Sequence, residues 1–181
     1  MHLQATLLYS FLILLGCSSC NNDIQTVRDI TSRVELPLSS ARNSELFYSD
    51  SARVKVKLIA PQLDQYQAPE ARIVMPKGVD ISFFNDSMRV VTHLTANSAV
   101  LKEKDNLMEA HGNVIVVNTK GDKLVTEKLI WDEKKRMIYT DVHVLITTAK
   151  GDILEGEGLE SNEDFTHYRI HKPTGNSDFD K

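Results

Sequence analysis

The chain has 181 residues, a net charge of −4 and a 41% share of hydrophobic residues. That length supports one domain with a real core and not two. The mild negative charge is spread along the chain, which argues against a nucleic-acid partner.

The first element is an apolar run, Leu7 to Leu15. It matches a signal-peptide h-region and is too short to cross a ~30 Å hydrocarbon core as a helix. Leu14-Leu15-Gly16-Cys17 resembles the bacterial lipobox, in which the cysteine is lipidated and becomes the new N-terminus. The n-region departs from that pattern, since it holds His2 and no Lys or Arg. Residues 1–16 are therefore expected to be a lipoprotein signal peptide and Cys17 the lipidation site. Cys17-Ser18-Ser19-Cys20 could also be read as a C-x-x-C redox or metal pair. Such pairs belong on a strand-to-helix turn inside a domain, whereas this one lies between an h-region and a polar stretch. An uncleaved membrane anchor is the other alternative. The full acylation that the lipobox implies would hold the protein to a membrane almost permanently, at ~0.8 kcal/mol per buried methylene.

Residues 17–45 are expected to be a polar tether and residues 46–172 the folded domain, with a disordered tail over 173–181. Arg53-Val54-Lys55-Val56-Lys57-Leu58 alternates strictly, with aliphatics on one face and cations on the other. Arg72–Met75, Val79–Phe84 and Arg89–Leu94 read as strands, the last two joined by an Asn85-Asp86-Ser87 turn. Asn97–Leu101, Leu107–Ala110, Asn113–Asn118, Leu124–Trp131, Met137–Thr140 and Val142–Thr148 continue the series. A last unit runs from Ile153 to about His171.

The second half repeats itself at an offset of thirty, which places Lys120-Gly121-Asp122 on Lys150-Gly151-Asp152. Val114 and Val116 fall on Val144 and Ile146, and Met108 falls on Ile138. An all-strand repeat implies a stack in which each unit buries its neighbour's apolar side. The expected fold is all-β: a twisted, open β-jelly roll or β-sandwich of short antiparallel strands. An interior line of alternate residues would run along the whole stack.

Five segments occur in register with a known family: Leu94-Thr95-Ala96-Asn97, Ala110-His111-Gly112-Asn113-Val114, Leu124 to Asp132, Ile138-Tyr139-Thr140-Asp141 and Gly156 to Ser161. With Tyr48-Ser49-Asp50-Ser51 upstream, they resemble the OstA-like lipopolysaccharide transport domains, and specifically the LptC family. The resemblance covers roughly Ser39 to His171. One departure is that familiar members are held by a transmembrane helix, whereas this chain looks lipidated.

The resemblance implies a passive conduit in the periplasm that works with the inner-membrane machinery; the lipobox adds a lipid anchor, expected in the inner membrane before the outer. Such a domain takes lipopolysaccharide from an LptB/LptF/LptG-type ABC transporter at its N-terminal edge, here Arg53 to Ile59. It passes the lipid to an LptA-like bridge protein through its C-terminal edge, here Thr166, His167, Tyr168, Arg169, Ile170 and His171. The acyl-chain lining is expected from one parity of each strand: Val54, Val56, Leu58, Ile81, Phe83, Val114, Val116, Val144 and Ile146, with Leu129 and Trp131. The alternative is that these side chains pack on one another as an ordinary core.

An enzyme is not expected, because Gly-x-Ser-x-Gly, His-Glu-x-x-His and phosphate-loop motifs are missing. No catalytic residue, metal site or cofactor is assigned. His93, His111, His143, His167 and His171 lack metal-ligand spacing. The acidic run Glu155 to Asp164 reads as a solvated strand with no apolar cage to raise a carboxyl pKa. Arg53, Lys55 and Lys57 read as a solvated strand face. Two other readings are a structural lipoprotein that bridges envelope proteins through its edge strands, and a mobile LptA-type bridge, against which the anchor argues.

Overall fold

A computed structural model describes residues 35–67 and 69–174. The signal peptide, Cys17, most of the expected tether and the last seven residues, 175–181, lie outside the described residues. From Pro37 onward the chain forms one compact unit.

The alternating sequence folds as eleven strands. They are β1 (Ser39–Asp50), β2 (Arg53–Tyr66), β3 (Arg72–Met75), β4 (Val79–Phe84), β5 (Val90–Ala96), β6 (Ser98–Lys102), β7 (Leu107–Asn118), β8 (Lys123–Asp132), β9 (Met137–Thr147), β10 (Ile153–Asn162) and β11 (Tyr168–Pro173). All pairings are antiparallel, and no helix interrupts the series among the described residues.

The pairing shows that this sheet is folded along a line. β2 pairs with β4 through Val56–Ile59 and with β3 through Asp64–Tyr66. β7 pairs with β5 near its C-terminal end and with β6 near its N-terminal end. Each long strand thus contributes one half to a first leaf and the other half to a second. The pairs β3/β4 and β5/β6 act as two further long strands interrupted at the crease. The chain then runs as a meander, each strip beside the next.

Crossing the crease requires irregular backbone. Register shifts fall between His111 and Val114, between Thr126 and Ile130, and between Glu157 and Leu159. These β-bulges turn each strand and keep its apolar residues facing inward. Gly112 (φ +75°) and Gly158 (φ +83°) occupy left-handed backbone at this line, which side chains resist. The freed groups are satisfied locally, as where the Thr126 hydroxyl donates to the His143 carbonyl at 2.7 Å.

Three differences from the sequence reading are physical. β1 begins at Ser39 and takes in Ser39–Glu45, which sequence alone assigns to the tether. As an edge strand it needs few buried residues, so it carries no apolar alternation there. Leu107–Ala110 with Asn113–Asn118, and Met137–Thr140 with Val142–Thr148, are single bent strands, since the bulge only looks like a turn in sequence. The last strand is Tyr168–Pro173, while Thr166 and His167 belong to the preceding turn, where the Asn162 side chain caps both amides.

Candidate functional site: an apolar interior with a side-chain-closed mouth

On the first leaf one rung of cross-strand partners is apolar from end to end. It runs Leu46–Leu58–Ile81–Leu94–Val116–Leu124–Ile146–Leu154, each residue opposite the next. Strict alternation of each strand places these side chains on the inner face. The second leaf answers with Ile73–Leu101–Met108–Trp131–Ile138. The inner faces meet in one core, with no charged side chain on either rung.

Of the sequence-predicted lining, Val56, Leu58, Ile81, Phe83, Val114, Val116, Leu129, Trp131, Val144 and Ile146 are all buried in this core. Val54 is half-buried at the lip of the first leaf. The structure brings these ten together as one continuous interior, with Val54 left at its edge. Met108, Leu94, Leu124, Ile138 and Leu159 share it and were not singled out from sequence, although the same alternation could have found them.

The interior tapers. At the crease it is lined by Ala60, Ala96, Ala99 and Ala110. At the opposite side, where the leaves part, aromatic rings fill the gap. Phe83 of the first leaf meets Trp131 of the second edge-on, at 5.6 Å between centroids. Tyr48 approaches the same indole at 6.0 Å. The Tyr48 hydroxyl donates to the Glu133 carboxylate, which is the main reason its pKa is pushed up to about 12.

The turn between β10 and β11 crosses this mouth. Its Phe165 is fully buried and stacks on Tyr168 at 5.1 Å. The Asn118 side-chain amide, on the first leaf, donates to the Phe165 carbonyl at 2.7 Å. The Trp131 indole N–H donates to Glu163 Oε1 at 2.7 Å. Burial pushes the Glu163 carboxyl above its usual range, the indole bond opposing that shift. This corrects the sequence reading of Glu155 to Asp164, because Glu163 turns into the apolar mouth while Glu155, Glu157 and Glu160 stay exposed.

The cations of β2 lie on the outer face and are paired. Lys55 reaches Asp86 at 2.6 Å with Arg53 4.0 Å from the same oxygen, and Lys57 reaches Glu45 at 3.1 Å. His93, His111, His143 and His171 each face a single carboxylate at 3.4–3.5 Å. Among the described residues no three His, Cys, Asp or Glu side chains gather to hold a metal. Nor is any described helix long and apolar enough to cross a membrane.

At the two ends of the meander, β1 pairs with β2 alone and β11 with β10 alone. Each therefore presents an unpaired row of backbone groups. On β11, Tyr168 and Ile170 point inward and Arg169 and His171 outward.

No curated protein matches the chain. A family model described as "Lipopolysaccharide-assembly, LptC-related" matches residues 7–172. This is a family of transport components rather than of enzymes, and its role lies in lipopolysaccharide transport. A match of that extent, over a folded antiparallel meander with an apolar interior, makes the chain a member of the LptC-related family of lipopolysaccharide-assembly proteins.

Proposed function

We propose that the protein is a membrane-anchored periplasmic conduit whose interior carries the acyl chains of lipopolysaccharide. The unbroken apolar rung from Leu46 to Leu154 supports this most directly, because it offers one uniform surface across eight strands. Each methylene moved from water onto such a surface gains ~0.8 kcal/mol. A lining without fixed polar partners holds the chain at no single position along it.

Lipid enters from the inner-membrane ABC transporter at the β1 edge, rather than at Arg53 to Ile59, which β1 and β4 flank on both sides, and leaves for an LptA-like bridge protein at the β11 edge. Edge strands accept a partner's strand through main-chain hydrogen bonds, which would make the interior continuous from one protein to the next. Cys17 is the lipidated residue, a reading supported by the apolar run and Gly16 before it.

Photocrosslinking in living cells tests the conduit, with the probe at inward Val144 and, in parallel, at outward Leu145. A lipopolysaccharide adduct at Val144 alone is expected. Absence of an adduct at Val144, Phe83 and Val56 in folded protein would overturn it, leaving a bridging module with an ordinary core. Fatty-acid labelling tests the anchor: equal label in wild type and Cys17→Ala would sink the role of Cys17.

A further inference from the structure

We propose that the β10–β11 turn, Asn162–His167, is a strap that closes the interior, and that an acyl chain gains the interior by displacing Phe165. The proposal rests on the conduit reading above and names the way in.

Three observations converge on this turn. The first is its position. Phe165 is fully buried, yet it belongs to a turn at the rim of the second leaf and is tied to the first leaf through Asn118. Its ring completes the apolar surface against Tyr168, where a lipid tail would otherwise lie.

The second is how the closure is made. Elsewhere neighbouring strips are joined by ladders of main-chain hydrogen bonds. Among the described residues the strap is joined to the first leaf by the bond from Asn118 to the Phe165 carbonyl, and to Trp131 by the indole–Glu163 bond. The turn's internal bonds, Phe165 N–H to the Asn162 carbonyl and Thr166 and His167 N–H to Asn162 Oδ1, can survive its movement as a unit.

The third is that the closed state is held against local costs. Phe165 sits at φ +49°, a conformation a bulky side chain resists. The Glu163 carboxylate is drawn out of water. Thr92, directly across the ladder from both Phe83 and Asn118, buries a hydroxyl that has no hydrogen-bond partner among the described residues. The left-handed backbone recurs at Asn106 and Arg136 in the turns β6–β7 and β8–β9, so the costs particular to this rim are the desolvated Glu163 carboxyl and the unpaired Thr92 hydroxyl.

Asn118→Asp separates strap from turn. Asn118 Oδ1 also accepts from the Lys120 and Asp122 amides, which order the β7–β8 turn. Aspartate keeps both bonds and removes the donor to Phe165. It also removes the Asn118 Nδ2 donor to Asp122 Oδ2 at 3.0 Å. N118D is therefore made together with Asp122→Asn, whose amide returns that turn bond in the reverse sense and leaves no facing carboxylates. The test uses the purified full chain with a photoprobe at Val144, mixed with lipopolysaccharide and irradiated at increasing delays. The adduct is expected to form about five- to tenfold faster in the double variant, the effect of one net hydrogen bond on opening. Equal rates in the two proteins overturn the strap and leave the conduit standing. No adduct in either overturns the conduit and the strap with it.

If the double variant does not fold, hydrogen exchange on the unaltered chain decides. On addition of lipopolysaccharide the amides of Phe165, Thr166 and His167 should lose protection while those of β8 gain it. Gain of protection at the strap overturns the proposal.

Discussion

The crease and the mouth of the folded sheet close the same interior by different means. At the crease the wall is the chain itself: strands run through it, main-chain ladders flank it, small alanines line part of it, and Gly156 lets β11 lie close on β10. At the mouth the wall is made of side chains, among them Phe83, Trp131, Tyr48 and Phe165. Opening at the crease would break ladders, whereas opening at the mouth breaks ring contacts and a few side-chain hydrogen bonds. The difference teaches where such a sheet can give way. Aromatic bulk closes the side held by side chains, and backbone closes the other.

The strongest way to break this comparison is to remove the largest ring from the mouth. Trp131→Ala should cost ~3–5 kcal/mol in denaturant unfolding, as large-to-small changes in packed interiors do. At the crease the reverse substitution should hurt. A Cβ on Gly156 would stand 2.6 Å from the Lys172 carbonyl oxygen and 3.0 Å from Pro173 Cα, backbone atoms that cannot turn away. Gly156→Ala should therefore cost ~1–3 kcal/mol and weaken β11, read by faster amide exchange at Ile170 and Lys172. Thr92→Val should go the other way. It removes an unpaired buried hydroxyl at constant shape and should stabilise by about 1 kcal/mol, measured as a higher denaturation midpoint.

The smallest effect is a pH dependence. The Glu163 carboxyl is raised in the folded protein by burial, so the folded state holds its proton more tightly than the unfolded state. Stability from this group is present in acid, below its unfolded pKa, and is lost as pH rises through the folded value. Glu163→Gln should remove that decline. The stability difference between wild type and E163Q, followed by urea unfolding from acid to neutral pH, should widen in favour of E163Q. A flat difference would mean that Glu163 is not desolvated at the mouth.

Much of the fold was legible because alternation is a direct print of a half-buried strand. Val54-Lys55-Val56-Lys57-Leu58 gave β2 its inner face, and the thirty-residue repeat marked two successive hairpins closing on Lys120-Gly121-Asp122 and Lys150-Gly151-Asp152. The crease was hidden, because Gly112-Asn113 reads as a turn between strands rather than a bend within one. Nor did composition place Ser39–Glu45 in a strand, since an edge needs only a neighbour's backbone. The mouth was the least legible part. Glu163 lies in a run of carboxylates, and only the partner Trp131, distant in sequence, draws it inward. Phe165 has no alternating neighbours at all, so no periodicity announces its burial.

The meander also bears on the order in which the molecule is made. Each strip hydrogen-bonds to a strip close to it in sequence, so its contacts are local for an all-β protein and its ladders can be laid down as the chain emerges. The contact between Asn118 and Phe165 spans 47 residues and must wait for the last hairpin. Until β11 is in place the trough is a gutter with its side unclosed. Closure is therefore the final act of folding, and on the proposed reading the first that a lipid has to undo.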